Sequence, residues 1–267
     1  MRRLSVALIA TISAVAFTQI ASAADMPTKA PVMVAAPAIY NWTGFYVGVN
    51  AGGAWGKSDV VTHVNGAGTF YNPGNIPPIN ANGNSTVDPN GFTGGGQIGY
   101  NWQFNPHWVF GVEADINYFG VKGSRAVSAP YLFNPTTGYT INQEVKADWL
   151  FTARPRLGWA VNNWLIYVTG GLAVTDLHYN NSYVETFYPS AQNGSVSSTK
   201  AGWTVGGGVE YALLNRWSVK LEYLYVEFDN VSSAVPIVAP GGFTAPFSNS
   251  ANLKENIVRA GLNYKFN

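Results

Sequence analysis

The 267-residue chain contains no cysteine, and only 11 % of its residues are charged. The first absence excludes disulfides, thiolate metal sites and a cysteine nucleophile. The second excludes the coat of Lys, Glu, Asp and Arg that covers a soluble domain, in which about a quarter of residues are charged. Much of the outer surface must therefore be apolar or merely polar. Net charge is +1 and no basic run follows Arg2-Arg3, so the electrostatic footprint of nucleic-acid binding is missing. After the first two dozen residues no stretch reaches the ~18 consecutive apolar residues of a membrane helix. Nowhere is a 3.6-residue periodicity sustained.

What is present begins with a leader. "MRRLSVALIATISAVAFTQIASA" has a basic start, an apolar stretch from Leu4 to Ile20 and a small-x-small end at Ala21-Ser22-Ala23. This is the pattern of a signal peptide, with cleavage expected after Ala23. Removing residues 1–23 takes away Arg2 and Arg3 and no acid, leaving 13 basic and 14 acidic residues. Residues 24–40, "ADMPTKAPVMVAAPAIY", are rich in Pro and Ala and read as an extended periplasmic lead-in.

From residue 41 to 267 the pattern has period two. In Phe110–Tyr118, "FGVEADINY", Phe110, Val112, Ala114, Ile116 and Tyr118 share one face, while Gly111, Glu113, Asp115 and Asn117 share the other. "WLFTARPRLGW" (149–159) and the C-terminal "NIVRAGLNYKFN" (256–267) repeat the scheme, and "VKLEYLY" (219–225) loses it at Leu224. Such alternation is the strand signature. Eight strands are expected, at about 44–57, 91–104, 108–123, 143–161, 164–180, 198–213, 217–231 and 253–266. Their connections alternate between short turns (105–107, 162–163, 214–216) and long loops (58–90, 124–142, 181–197, 232–252) rich in Gly, Asn, Pro and Ser. The expectation is an all-β fold: an eight-stranded, antiparallel, up-and-down transmembrane β-barrel with short periplasmic turns and long extracellular loops.

Tryptophan supports this independently. Six of the nine, Trp42, Trp102, Trp108, Trp159, Trp164 and Trp217, lie beside the short-turn end. Trp55, Trp149 and Trp203 sit about ten residues along their strands, ~25 Å of height in a tilted barrel. Two aromatic belts at that separation suit a bilayer. The apolar face then meets lipid, and Glu113, Asp115, Asp148, Arg154, Arg156, Glu210, Lys220, Glu222, Arg259 and Lys265 face inward, five of each sign. An eight-stranded barrel has room inside only for side chains, and buried charges are costly unless paired. The lumen is therefore expected to be filled by ion pairs rather than to form a wide aqueous pore.

Several stretches carry a family resemblance. "NWTGFYVGVNAGGAWG" (41–56), "GFTGGGQIGYNWQF" (91–104), "GVEADINY" (111–118), "RPRLGW" (154–159), "YVTGGLAV" (167–174), "GWTVGGGVEYAL" (202–213) and "VKLEYLYVEF" (219–228) resemble the small porin-family outer-membrane proteins of Rhizobiales-type alphaproteobacteria, eight-stranded surface-antigen barrels of the OmpA type. The last strand resembles the C-terminal signal read by the barrel assembly machinery, with Tyr264 and Phe266 as its aromatics. Asn267 follows Phe266, whereas the family usually ends on the aromatic itself. The resemblance implies an outer-membrane protein of a Gram-negative bacterium that contributes to envelope integrity and surface contacts. Its partners would be outer-membrane lipid and lipopolysaccharide, with peptidoglycan reached by the lead-in or external ligands reached by the loops. A narrow diffusion channel is the alternative. Some relatives bind haemin, but no motif carries that site here by residue.

Other motifs fail. Gly94, Gly96 and Gly99 satisfy the dinucleotide fingerprint, but Tyr100-Asn101-Trp102 continues a strand where a helix is required. Glycines here are expected to make room for large neighbours in a narrow barrel. His63, His107 and His178 are far apart in the expected topology, and none adjoins a plausible serine nucleophile. No cofactor, metal site or catalytic residue is expected.

Overall fold

The computed structural model describes residues 40–65, 71–186, 190–213 and 216–266. The expected leader, the lead-in up to residue 39 and Asn267 lie outside the described residues. The elements are β1 (Gly44–Val64), a single 3-10 turn, α1 (Ile76–Gly83), β2 (Ser85–Val87), β3 (Asn90–Gln103), β4 (Trp108–Pro130), β5 (Gly138–Val161), β6 (Trp164–Glu185), β7 (Ser190–Ala212), β8 (Trp217–Ala234), β9 (Ile237–Val238), β10 (Thr244–Ala245) and β11 (Phe247–Lys265). Neighbouring strands pair antiparallel in chain order, and β11 pairs with β1, closing a ring of eight: β1, β3 to β8, and β11. The strictly alternating C-terminus is thus the closing strand.

Register fixes the geometry of the ring. Cross-strand partners run Gly44, Asn101, Gly111, Arg156, Thr169, Gly206, Leu224 and Ile257, and return to β1 at Ala54. The path therefore climbs ten residues in one circuit. With eight strands this stagger gives a tilt of ~40°, so each residue adds ~2.5 Å of height. On that scale Trp102, Trp108, Trp159, Trp164 and Trp217 share one level, and Trp55, Trp149 and Trp203 share another ~25 Å higher. Most of these rings are exposed on the outer wall and Trp149 is half-buried.

Trp42 departs from the expected belt. It is 2 % exposed and packs under the barrel with Val109, Ala160, Leu165, Tyr167 and Ala212. Gly44 has φ 141°, a conformation that L side chains rarely adopt, and it turns the preceding residues inward. The Trp42 ring meets Tyr40 edge-on at 4.8 Å and caps the short-turn end of the lumen.

The strands also run further than expected at the long-loop end. β4 continues to Pro130, β5 begins at Gly138, β6 reaches Glu185 and β7 begins at Ser190. The 24 residues of β5 span ~60 Å of height, against the ~25 Å apolar band of such a barrel. From just below the upper belt upward the lumen holds an apolar layer that includes Phe119, Val121, Leu150, Leu177, Leu224, Val226 and Phe228. Higher still, α1 delivers Ile79 into a mouth cluster with Tyr71, Tyr131, Tyr139, Tyr183 and Phe247. There Tyr131 and Tyr183 hydroxyls lie 2.7 Å apart, and burial pushes both phenols well above their ordinary range.

Candidate functional site

Below the apolar layer the barrel places eight charged side chains in one connected network: Glu113, Asp115, Arg154, Arg156, Glu210, Lys220, Glu222 and Arg259, all at most 4 % exposed. Strand register brings opposite charges face to face. Glu113 is the cross-strand partner of Arg154, Glu222 of Arg259, and Glu210 of Lys220. Glycine sits across the neighbouring pairing from the bulkiest members: Gly99 opposite Glu113, Gly111 opposite Arg156, Gly208 opposite Glu222, Gly261 opposite Lys220 and Gly52 opposite Arg259. A Cβ at Gly99 would collide with the Tyr46 ring, and one at Gly208 would lie 2.7 Å from the Tyr167 hydroxyl. Of the fingerprint glycines only Gly99 makes room inside. Gly94 and Gly96 share the outward face with Ile98, which departs from the lumenal role expected for them.

The two arginines at the centre each bridge several acids. Arg154 Nη2 donates to Glu113 Oε1 and Asp115 Oδ2, both at 2.8 Å, while its Nη1 donates to Glu222 Oε1 at 3.2 Å. Arg259 donates from Nε to Glu222 Oε2 at 2.7 Å and forks onto Asp115 at 3.1 and 3.0 Å. Lys220 Nζ donates to both oxygens of Glu113 at 2.8 and 2.9 Å. Arg156 donates from Nη1 to Glu210 at 3.2 Å and from Nε to Asn101 Oδ1 at 2.9 Å, between the Tyr46 and Tyr167 rings. The Tyr46 hydroxyl donates to Glu113 at 2.8 Å, and that of Tyr167 donates to Glu222 at 2.9 Å. Charge-assisted and forked bonds of this kind are the strong ones. Such bonds offset the cost of taking the ions out of water.

Two expected members lie elsewhere. Asp148 faces the outer wall, because β5 carries a bulge between Ala147 and Leu150 that turns both Asp148 and Trp149 outward. It pairs with Lys146 at 2.7 Å and lies 3.5 Å from His178 Nε2, which meets Asp176 at 2.9 Å. Single ligand atoms of Asp148, Asp176 and His178 fall within 4.8 Å of one another. His178 is therefore not isolated, although its companions are carboxylates that already serve Lys146 and the bulge amides. Lys265 faces the lumen at its short-turn mouth, below the network. It donates to the Asn41 carbonyl and lies 4.4 Å from the Tyr40 ring centroid, with no ion pair among the described residues. Each sign loses one member, so four acids still balance four bases.

Tyr46, Tyr167, Asn101, Asn263 and Gln97 belong to the same lumen and escaped the sequence reading. All five fall on inward parities, but the expected network consists of charged residues alone, and none of these five is charged. His107 stacks on Trp159 with ring centroids 4.9 Å apart, and His63 is exposed on β1. Tyr264 and Phe266 contact each other edge-on at 5.2 Å on the outer wall, beside Trp217.

Comparison with known proteins identifies the architecture. The family model "Outer membrane protein beta-barrel domain" matches residues 30–266. The chain belongs to this outer-membrane β-barrel family. It is 34 % identical, over 98 % of its length and 97 % of the relative's, to the 31 kDa outer-membrane immunogenic protein of Brucella melitensis biotype 1. It is 30 % identical to the 22 kDa outer membrane protein of Rhizobium leguminosarum bv. viciae, over 85 % of this chain and 79 % of that one. The crystal structure of OprG from Pseudomonas aeruginosa covers 85 % of this chain and 98 % of its own, at 11 % identity and a TM-score of 0.41. The family is thus an outer-membrane one, in keeping with the resemblance to Rhizobiales proteins. The apolar outer band between the tryptophan belts faces lipid, and the long-strand end faces the exterior.

Proposed function

We infer that this outer-membrane barrel is a sealed structural element of the envelope that presents a rigid wall and loops to the exterior. The observation that supports this reading is Arg154. It is 2 % exposed at the axis of the lumen and is bonded to three carboxylates from two other strands. An ion crossing the barrel must break these bonds and then pass the apolar layer of Phe119, Leu150, Leu177 and Leu224, each 0 % exposed. A dry apolar constriction resists ion passage by dewetting.

Single-channel recording on the mature protein in planar bilayers tests this. The expected result is silence, with openings appearing when Arg154→Ala and Leu177→Ala are combined. Steady openings of the unaltered protein that change with Arg154→Ala would overturn the sealed reading in favour of a narrow channel.

A further inference from the structure

Between the two belts, no charged side chain faces outward among the described residues. Immediately above the upper belt this changes. Lys57 lies two residues past Trp55, Lys122 four past Tyr118, and Lys146 three before Trp149. Lys254 lies two before Asn256, the cross-strand partner of Trp55. All four side chains are on the outward face, ~5–10 Å above the upper aromatic level, at the height of the outer-leaflet headgroups.

Their pairing carries the inference. Register sets Lys57 directly opposite Lys254 and Lys122 directly opposite Lys146. Like charges directly opposite on adjacent strands destabilise a sheet. Here that arrangement occurs twice, on two separate arcs of one wall and at one height. Nearby acids relieve it only in part. Lys122 meets Glu144 at 2.8 Å and Lys146 meets Asp148 at 2.7 Å, but Lys254 reaches Asp59 and Glu227 only at 3.8 Å. Lys57 is exposed and has no ion pair among the described residues. Exposed lysine–carboxylate pairs contribute little, so a stronger anion can displace or share them. A phosphate monoester carries close to two negative charges and three acceptor oxygens. One such group between two ammonium ions balances a pair, whereas the single charge of a phosphodiester does not.

We propose that the two lysine pairs, Lys57 with Lys254 and Lys122 with Lys146, are clamps for phosphate monoesters on the phosphorylated glycolipid headgroups of the outer leaflet. Each clamp sets the height of the barrel in the membrane and holds an annulus of glycolipid around it. The clamps act on the outer wall and are independent of whether the lumen conducts.

The test uses the mature protein in detergent micelles, titrated with bisphosphoryl lipid A, with the same lipid after enzymatic dephosphorylation, with a phosphodiester phospholipid, and with inorganic phosphate. Native mass spectrometry reads the retained glycolipid. The expected result is that Lys57→Gln with Lys254→Gln, and Lys122→Gln with Lys146→Gln, each weaken lipid A retention about tenfold or more. The four-site variant should lose the preference for the phosphorylated form, and raised salt should weaken retention by the unaltered protein. Heat-modifiable gel mobility should stay unchanged, because the substitutions remove repulsion. Equal retention of phosphorylated and dephosphorylated lipid, or by the unaltered and four-site proteins, would overturn the proposal. So would competition by inorganic phosphate or phospholipid at the concentration at which lipid A acts.

Discussion

The half of the barrel between the tryptophan belts and the half above them are built from the same strands with opposite polarity. On β4 the lower half places Phe110, Val112, Ile116 and Tyr118 outside, with Glu113, Asp115 and Asn117 inside. The upper half places Lys122 and Ser124 outside, with Phe119 and Val121 inside. β8 makes the change slightly lower, three residues before Glu227, the cross-strand partner of Trp203: Glu222 faces the lumen, then Leu224, Val226 and Phe228 follow on that same face. The strand geometry is continuous across the boundary. What changes is the medium outside the wall, which is lipid below and water above. Against lipid, polar groups have no solvent except one another, so they gather inside and pair. Against water, the hydrophobic effect returns apolar side chains to the interior. The upper half is in effect a soluble barrel standing on a membrane one.

This contrast can be broken most forcefully at the ion pairs. Arg259→Ala leaves Glu222 and Asp115 buried without their main partner, and breaking a buried pair in this way costs ~3–5 kcal/mol. Urea titration of the protein folded in lipid vesicles measures it. A loss below ~1 kcal/mol would mean that water solvates the lumen and that the network is loose.

Next in size is a charge placed on the lipid face. Val112→Arg puts a guanidinium on the outward side of β4 within the lower half and should cost ~2–4 kcal/mol in the same titration. A neutral outcome would remove the assignment of that face to lipid.

The third substitution has the opposite sign. Glu255 lies on the inward face of β11 in the apolar layer, between Leu253 and Ile257, and neither carboxyl oxygen has a hydrogen-bond partner. Burying an unsatisfied polar group costs ~1–3 kcal/mol on protein-based scales. Glu255→Leu should therefore raise the urea midpoint. A lowered midpoint would show that the carboxyl is satisfied and that the upper lumen is not dry.

The polarity switch also explains what could be read from the sequence. The two belts, the up-and-down ring and the eight paired ions were legible because alternation in the lower half keeps one phase between tryptophans. The far ends of the upper strands were not: the expected strands pass the points where the apolar set changes parity, after Tyr118 and at Leu224, and stop at 123 and 231, because the segments beyond, such as 124–130, 138–142 and 190–197, are rich in Gly, Asn, Pro and Ser and carry no apolar face of constant parity. Asp148 was misplaced for a related reason: one bulge residue shifts parity, and no local residue type announces it. Lys265 has inward parity, but it lies at the short-turn mouth, where it meets the Asn41 carbonyl and no carboxylate among the described residues. Trp42 shares the neighbourhood of the belt in sequence, yet Gly44 turns it inward. Glu255 shares the parity of Arg259 and could have been found by counting back from it.

The smallest expected effect gives the sharpest comparison. Ser124→Arg lies on the same outward face of β4 as Val112→Arg, twelve residues further along the strand. Its cross-strand partner is Glu144, which the new guanidinium would face across water. The same side chain that is expensive below the belt should there change stability by no more than about 0.5 kcal/mol. The introduced side chain and the strand are the same in the two variants, so a difference larger than the ~1 kcal/mol span of strand propensity reports the medium outside the wall. If both are costly, the bilayer or its glycolipid headgroups reach higher than the tryptophans indicate, and the lysine clamps would then lie within that layer rather than at its edge. If both are cheap, the wall meets water throughout, and the ion pairs lose the physical reason for being inside.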